Sequence, residues 1–245
     1  MALIGFCRND CSTKPLRKQL ALCKFDPRAE AATQVNELPL GRRAAALVVI
    51  WVALAMAVLD TTIANVALPV LASEFHVDAA QTIWIANSYQ IGVVMMLLPL
   101  SRLGELMGCK SVYIIGLLIF AIASAGCASA SGIGTLSLWR WLQGVGAAGI
   151  LAVNPALLRF TYPPRLLARG IGYNALIVAC SFVAAPTIAT LFLQVGSWRM
   201  LFLVNAPIGI FLLLPAYLFL PATPRSGARF DPIETLACMV AFSTI

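Results

Sequence analysis

Two charged side chains stand inside apolar sequence: Asp60, within Leu59-Asp-Thr-Thr-Ile-Ala-Asn-Val-Ala-Leu-Pro69, and Arg140, within Arg140-Trp-Leu-Gln-Gly-Val-Gly146. A carboxylate can take up a proton or attract a cation, and a guanidinium can relay or balance that charge. A charge at the centre of a membrane helix costs about 2.5 to 3.5 kcal/mol on insertion scales, so each needs a partner, water or a function. At 1.5 Å per residue Asp60 is placed about 12 Å below the outer end of the first apolar run and Arg140 about 7 Å below that of the fourth, both in the outer half. On a helical wheel Asp60, Thr61 and Asn65 fall within about 140°, sharing that arc with Ala53, Ala57 and Ala64. This thin polar face suits either an aqueous cavity or tight packing. Two readings stand side by side: a structural ion pair or hydrogen-bonded seam, and a proton or substrate site in which burial and pairing govern whether Asp60 holds a proton.

Other chemistry is poorly represented. The seven cysteines form no CxxC and stand apart from the single histidine, His76, so neither a zinc site nor a disulfide framework is expected. There is no HExxH or GxSxG and no pair of aspartates within the apolar runs, which leaves an intramembrane enzyme little chemistry; no cofactor is implied. Gly144-Val-Gly-Ala-Ala-Gly149 matches GxGxxG, but a dinucleotide site needs a preceding strand and a soluble βαβ unit. Here the glycines, with Ala148 and Ala152, read as a small-residue stripe for close helix packing, as do Ser181, Ala185 and Ala189. Pro155 and Pro186 interrupt helices where neighbours or water can satisfy the freed carbonyls.

The elements that must position these residues follow from composition. Of 245 residues, 60% are hydrophobic and 11% charged, against about 25% charged in a soluble domain, so a water-facing surface cannot be assembled. Twelve of the 27 charged residues lie in the first 43 positions. Apolar runs of spanning length are read at 44–68, 82–100, 112–130, 135–158, 170–194 and 199–220, and a seventh starts near Ile233. About 13 residues of that run precede Ile245, too few to cross. The expected class is an all-α integral membrane protein: a basic cytoplasmic tail at 1–43, a six-helix bundle at 44–220, a cytoplasmic loop at 221–232 and the start of a truncated seventh helix at 233–245. Positions 1–43 contain no signal-peptide core; a short amphipathic surface segment around Leu16 to Phe25 is the alternative to a mobile tail.

Lys and Arg fall almost wholly in the tail and in the connections at 101–111, 159–169 and 221–232, whereas the alternate connections hold Arg199 alone. By the positive-inside rule the N-terminus is cytoplasmic. The net charge of +7 is therefore punctuation between spans, and nucleic acid is not an expected partner. In Ser101-Arg-Leu-Gly-Glu-Leu-Met-Gly-Cys-Lys110, Gly104 and Gly108 allow a tight turn, and Glu105 can pair with Arg102, Lys110 or a neighbouring helix end.

Together these segments resemble the N-terminal half of a major facilitator superfamily transporter, in particular the fourteen-helix drug:proton antiporters, with similarity to methyl viologen and quaternary ammonium exporters. The resemblance covers about 44–245. Leu59 to Pro69 is similar to the first-helix signature, Ser101 to Lys110 to the switching loop between helices two and three, and Arg140 to Gly146 to the fourth-helix motif. Ser181-Phe-Val-Ala-Ala-Pro-Thr-Ile-Ala-Thr190 keeps Pro186 of the fifth-helix antiporter motif but puts Ala185, Ala189 and Thr190 at glycine positions; Trp198 to Gly209 resembles the passage into helix six.

The resemblance implies alternating access, in which proton entry drives export of another solute at the bacterial inner membrane. Asp60 would bind the proton or cation, Arg140 would relay or balance it, and Arg102, Gly104, Glu105, Gly108 and Lys110 would form the conformational latch. Thr61 and Asn65 would line the cavity. Amphipathic cations are the favoured substrates, because Trp84, Tyr89, Trp139, Trp141 and Tyr173 offer cation-π surfaces. Such a transporter needs a second bundle, so the expected partners are the bilayer, protons, a small solute and a missing C-terminal half. A non-transporting fragment is the alternative.

Overall fold

In lipid every backbone amide must find its partner within the protein, so apolar runs of this length fold as helices. A computed structural model describes residues 39–195 and 197–223, and among them there are helices and no strand. They are α1 (Leu40–Phe75), α2 (Ala79–Met107), α3 (Cys109–Ala128), α4 (Ile133–Thr161), α5 (Leu167–Val195), α6 (Arg199–Leu203) and α7 (Asn205–Phe219), with one 3-10 turn at Pro164–Leu166. Six segments are long and apolar enough to cross a membrane, the sixth being α6 and α7 together. The seventh run at 233–245, the loop at 224–232 and the tail at 1–38 lie outside the described residues.

Several boundaries differ from the sequence expectation. α1 begins at Leu40, inside the stretch assigned to the tail, and runs to Phe75, beyond the expected end at Leu68. Hydropathy marks the stretch at the depth of the hydrocarbon layer, whether it faces lipid or protein, whereas the helix continues until His76 adopts a left-handed conformation (φ 51°) and its amide bonds to the Ala72 carbonyl. Residues 101–107 are helical, not loop, so Gly104 does not turn the chain. The reversal between α2 and α3 falls on Gly108 alone, at φ 96°, a backbone conformation that glycine adopts without a steric penalty. The sixth span is interrupted at Val204. Pro207 has no amide to offer the Leu203 carbonyl, which weakens the helix at that level.

α4 is the axis of the bundle. Its glycines serve two neighbours: a Cβ on Gly146 would stand 2.5 Å from the Phe120 nitrogen of α3, one on Gly149 would stand 3.0 Å from the Gly116 Cα, and one on Gly144 would collide with the Tyr89 carbonyl of α2. The GxGxxG match is thus a helix-packing surface, facing α3 through two glycines and α2 through the third. On α5, Ser181, Ala185 and Ala189 are buried, while Pro186 and Thr190 are exposed on the opposite side.

The core has two apolar clusters. One joins α1 from Leu47 to Ala57 with the first half of α3, Ala147 to Leu158 of α4, and Leu212 and Ala216 of α7. The other joins Ile63 to Leu71 of α1 with Cys127, Leu136, Ala185, Ala189, Leu201 and Phe202. On α1, α3, α4 and the sixth span, the residues between the two clusters include Asp60, Ser124, Arg140, Gln143 and Asn205, all buried. A polar layer lies between two mainly apolar ones.

Candidate functional site, a buried carboxylate and guanidinium

Asp60 and Arg140, 80 residues apart, form an ion pair, Arg140 Nη1 donating to Asp60 Oδ2. They are 2% and 1% exposed, respectively, within the range of the apolar core. Asp60 stands 15 residues before the end of α1 and Arg140 seven residues after the start of α4, roughly 22 and 10 Å along their axes. The two depths reckoned from apolar run lengths, about 12 and 7 Å, already differed by about 5 Å; the real helix ends overhang unequally, and the pairing still holds.

Asp60 is satisfied on both oxygens. Oδ1 accepts from Gln143 Nε2 at 3.0 Å and from Asn205 Nδ2 at 2.8 Å, while Oδ2 takes Arg140. Gln143 is the second hub: its Oε1 accepts from Arg140 Nη1 at 2.8 Å, and its Nε2 also donates to Ser124 Oγ at 2.9 Å. Ser124 passes its own hydroxyl hydrogen to the Phe120 carbonyl at 2.7 Å, and the Cys127 thiol points at Gln143 Oε1 from 3.6 Å. The guanidinium lies 4.4 Å from the Tyr89 ring centroid and 5.5 Å from that of Phe202. Tyr89 in turn donates to the Ala57 carbonyl at 3.1 Å. Arg140 Nε is buried without a partner among the described residues. Spans one, two, three, four and six therefore meet at one pair of opposite charges, and α5 contributes no side chain to it.

This arrangement restricts the chemistry. With Oδ1 already receiving two hydrogen bonds and Oδ2 one, the lone pair left for an arriving proton is on Oδ2, beside Arg140. Asp60 and Arg140 were singled out from sequence; Gln143, Ser124 and Asn205 were not, and Tyr89 was named only as a cation-π surface for a substrate. The available signals were modest: Gln143 is three residues past Arg140 and so shares its face, and Ser124 and Asn205 are polar residues in otherwise apolar spans.

The remaining expected site residues are placed elsewhere. Thr61 is half-buried and donates to the Ala57 carbonyl of its own helix at 3.1 Å, and Asn65 is exposed, so neither joins Asp60. A shared 140° arc does not ensure a shared environment when the helix edge faces out of the bundle. Arg102 pairs with Glu105 one helical turn along α2, both side chains being about half exposed. Gly104 packs against Val153, where a Cβ would come within 2.7 Å of Cγ1. Lys110 Nζ stands 5.2 Å from the Tyr217 ring centroid, and the Cys109 amide donates to Thr223 Oγ1 at 2.7 Å. The loop motif is thus divided between a surface ion pair and a junction of α3 with the end of the sixth span. Among the proposed cation-π surfaces, Trp84 and Tyr173 are exposed, whereas the Tyr89 ring is already occupied by Arg140. No cluster of three or more metal-binding side chains occurs among the described residues.

Comparison with known proteins places this geometry in context. Residues 50–241 match the family model of the Major Facilitator Superfamily. The chain is 46% identical over 200 residues to the uncharacterized transporter YebQ of Escherichia coli (strain K12), covering 81% of this chain and 44% of that protein. It is 32% identical over 196 residues to the methylenomycin A resistance protein of Bacillus subtilis (strain 168), covering 80% and 42% respectively. The chain thus spans less than half the length of these relatives. Its fold is similar to that of the proton:xylose symporter XylE, with a TM-score of 0.66 at 13% identity, over 83% of this chain and 51% of that one.

Proposed function

The chain belongs to the Major Facilitator Superfamily, a family of transporters rather than enzymes, and from that membership we propose that it forms one wall of a proton-coupled exporter of small organic compounds. It belongs by this reading with the drug:proton antiporters and works by alternating access against a complementary C-terminal half or partner bundle. The observation that carries the proposal is the buried Asp60–Arg140 pair. A proton bound at Oδ2, the oxygen that Arg140 engages, neutralises the carboxylate, weakens its hold on Arg140 and loosens α1 from α4, and proton loss restores the clamp. In a low-dielectric layer opposite charges attract more strongly than in water, which gives the proton leverage over helix packing.

The resistance named for the Bacillus subtilis relative supports export as the direction of transport. Amphipathic cations remain the favoured substrates, with Trp84, Trp139, Trp141 and Tyr173 as the candidate aromatic surfaces. Arg102, Gly104, Glu105, Gly108 and Lys110 act as the conformational latch. Ser181, Ala185, Pro186 and Ala189 supply the α5 motif, with Ala185 and Ala189 packed inside the bundle. The arginine-rich connections support a bacterial inner-membrane orientation with the N-terminus in the cytoplasm.

The test is Asp60→Asn, which keeps the size and most hydrogen-bonding capacity of the side chain and removes its titration. In inverted membrane vesicles carrying the protein, an imposed proton gradient is expected to drive substrate movement with the parent and not with the variant. Full proton-driven movement by the variant would refute the role of Asp60.

A further inference from the structure

The junction of α4 and α5 at the arginine-rich end of the bundle is built from groups that the transport reading leaves unused. Arg159 lies in the last turn of α4, Arg165 in the 3-10 turn that follows, and Arg169 in the first turn of α5. All three are exposed and form no ion pair among the described residues. From residue 106 to residue 223 the sequence contains no Asp or Glu, and Glu105 is engaged by Arg102. The first turn of a helix favours an acidic residue, because its free amides carry partial positive charge; here arginines add to that charge. Such an arrangement is relieved by an external anion.

Directly beneath, α4 and α5 separate to leave an open crevice lined by Pro155, Leu158, Leu167 and Ile171, with Arg159 and Asn174 as its polar groups. The crevice is thus an apolar slot opening beside a guanidinium. Asn174 Oδ1 accepts no hydrogen bond among the described residues. It lies five residues past Arg169, roughly 7.5 Å deeper along α5.

We propose that this crevice binds one anionic glycerophospholipid from the adjoining leaflet, its phosphate held by Arg159, Arg165 and Arg169 and an acyl chain laid against Leu158, Leu167 and Ile171. Arginine suits the phosphate because its fork of donors can engage two oxygens together. The site is independent of transport direction and of Asp60. A purely topogenic role for these arginines needs charge alone and has no use for the slot.

The test uses the full chain purified in detergent and examined by native mass spectrometry with equal phosphatidylglycerol and phosphatidylcholine. Retention of phosphatidylglycerol is expected to exceed that of phosphatidylcholine by roughly tenfold or more, from three basic contacts. The Arg159→Gln/Arg165→Gln/Arg169→Gln variant should lose the preference. Ile171→Trp, which fills the slot and keeps every charge, should lower phosphatidylglycerol retention several-fold. Equal retention of the two lipids would overturn the proposal, as would a preference that survives the triple substitution. Complete competition by water-soluble glycerophosphate would also overturn it, by showing an anion site without a lipid chain. So would recovery of the protein only as a lipid-free dimer insensitive to Ile171→Trp, since a second copy would then occupy the crevice.

Discussion

Gln143 and Asn154 are both buried amides on α4, eleven residues apart, and they meet opposite fates. Gln143 bonds to Asp60, Arg140 and Ser124, and links three helices. Asn154 is 3% exposed, sits on α4 among the residues of the first apolar cluster, and neither its Oδ1 nor its Nδ2 has a partner among the described residues. The same functional group is a fastening in one layer and a burden in the other. Polarity inside a membrane helix therefore does not by itself mark a site; what distinguishes the two levels is whether neighbouring helices bring complementary atoms to the same height.

The comparison can be broken most forcefully at the ion pair. Replacing Arg140 by Leu leaves Asp60 as a buried charge without its counterion, and equilibrium unfolding in micelles is expected to show a loss of about 3 to 5 kcal/mol. A loss under about 1 kcal/mol would mean that the layer does not hold the spans together. Gln143→Leu should cost about 1 to 3 kcal/mol in the same measurement, since it deprives Asp60 Oδ1 and Ser124 of partners while leaving the ion pair in place.

Smaller changes sharpen the contrast. Ser124→Ala removes one donor–acceptor link and is expected to cost about 0.6 kcal/mol, the usual worth of an interhelical hydrogen bond in a membrane protein. Asn154→Leu, similar in volume and on the same helix, is expected to be neutral or slightly stabilising, because it removes an amide that no described residue satisfies. If Asn154→Leu proved as damaging as Gln143→Leu, the two levels of α4 would not differ in the way their hydrogen bonds indicate.

Much of the fold was legible in the sequence. Six apolar runs, the basic connections between them and the small-residue stripes follow from the cost of exposing backbone or charge to lipid, and these are properties of local composition. Less of the site was legible. Asp60 and Arg140 drew attention because charge in an apolar run is expensive anywhere, but the wheel that grouped Thr61 and Asn65 with Asp60 treated a 36-residue helix as if one face met one environment. Gly104 was read as a turn residue because glycine permits turns; its use here is to let α2 approach Val153.

The sequence by itself determined that this protein is helical, that it crosses a membrane, and that two of its buried side chains carry opposite charge, since each of these follows from transfer energies summed along short stretches. Tertiary structure alone decided that the two charges are one site. Asp60, Ser124, Arg140, Gln143 and Asn205 come from four separate spans, and their meeting depends on where the glycine-lined crossings of α4 fix the height of each neighbour. A hydrogen bond tolerates only a few tenths of an ångström, and no local pattern along the chain records that register.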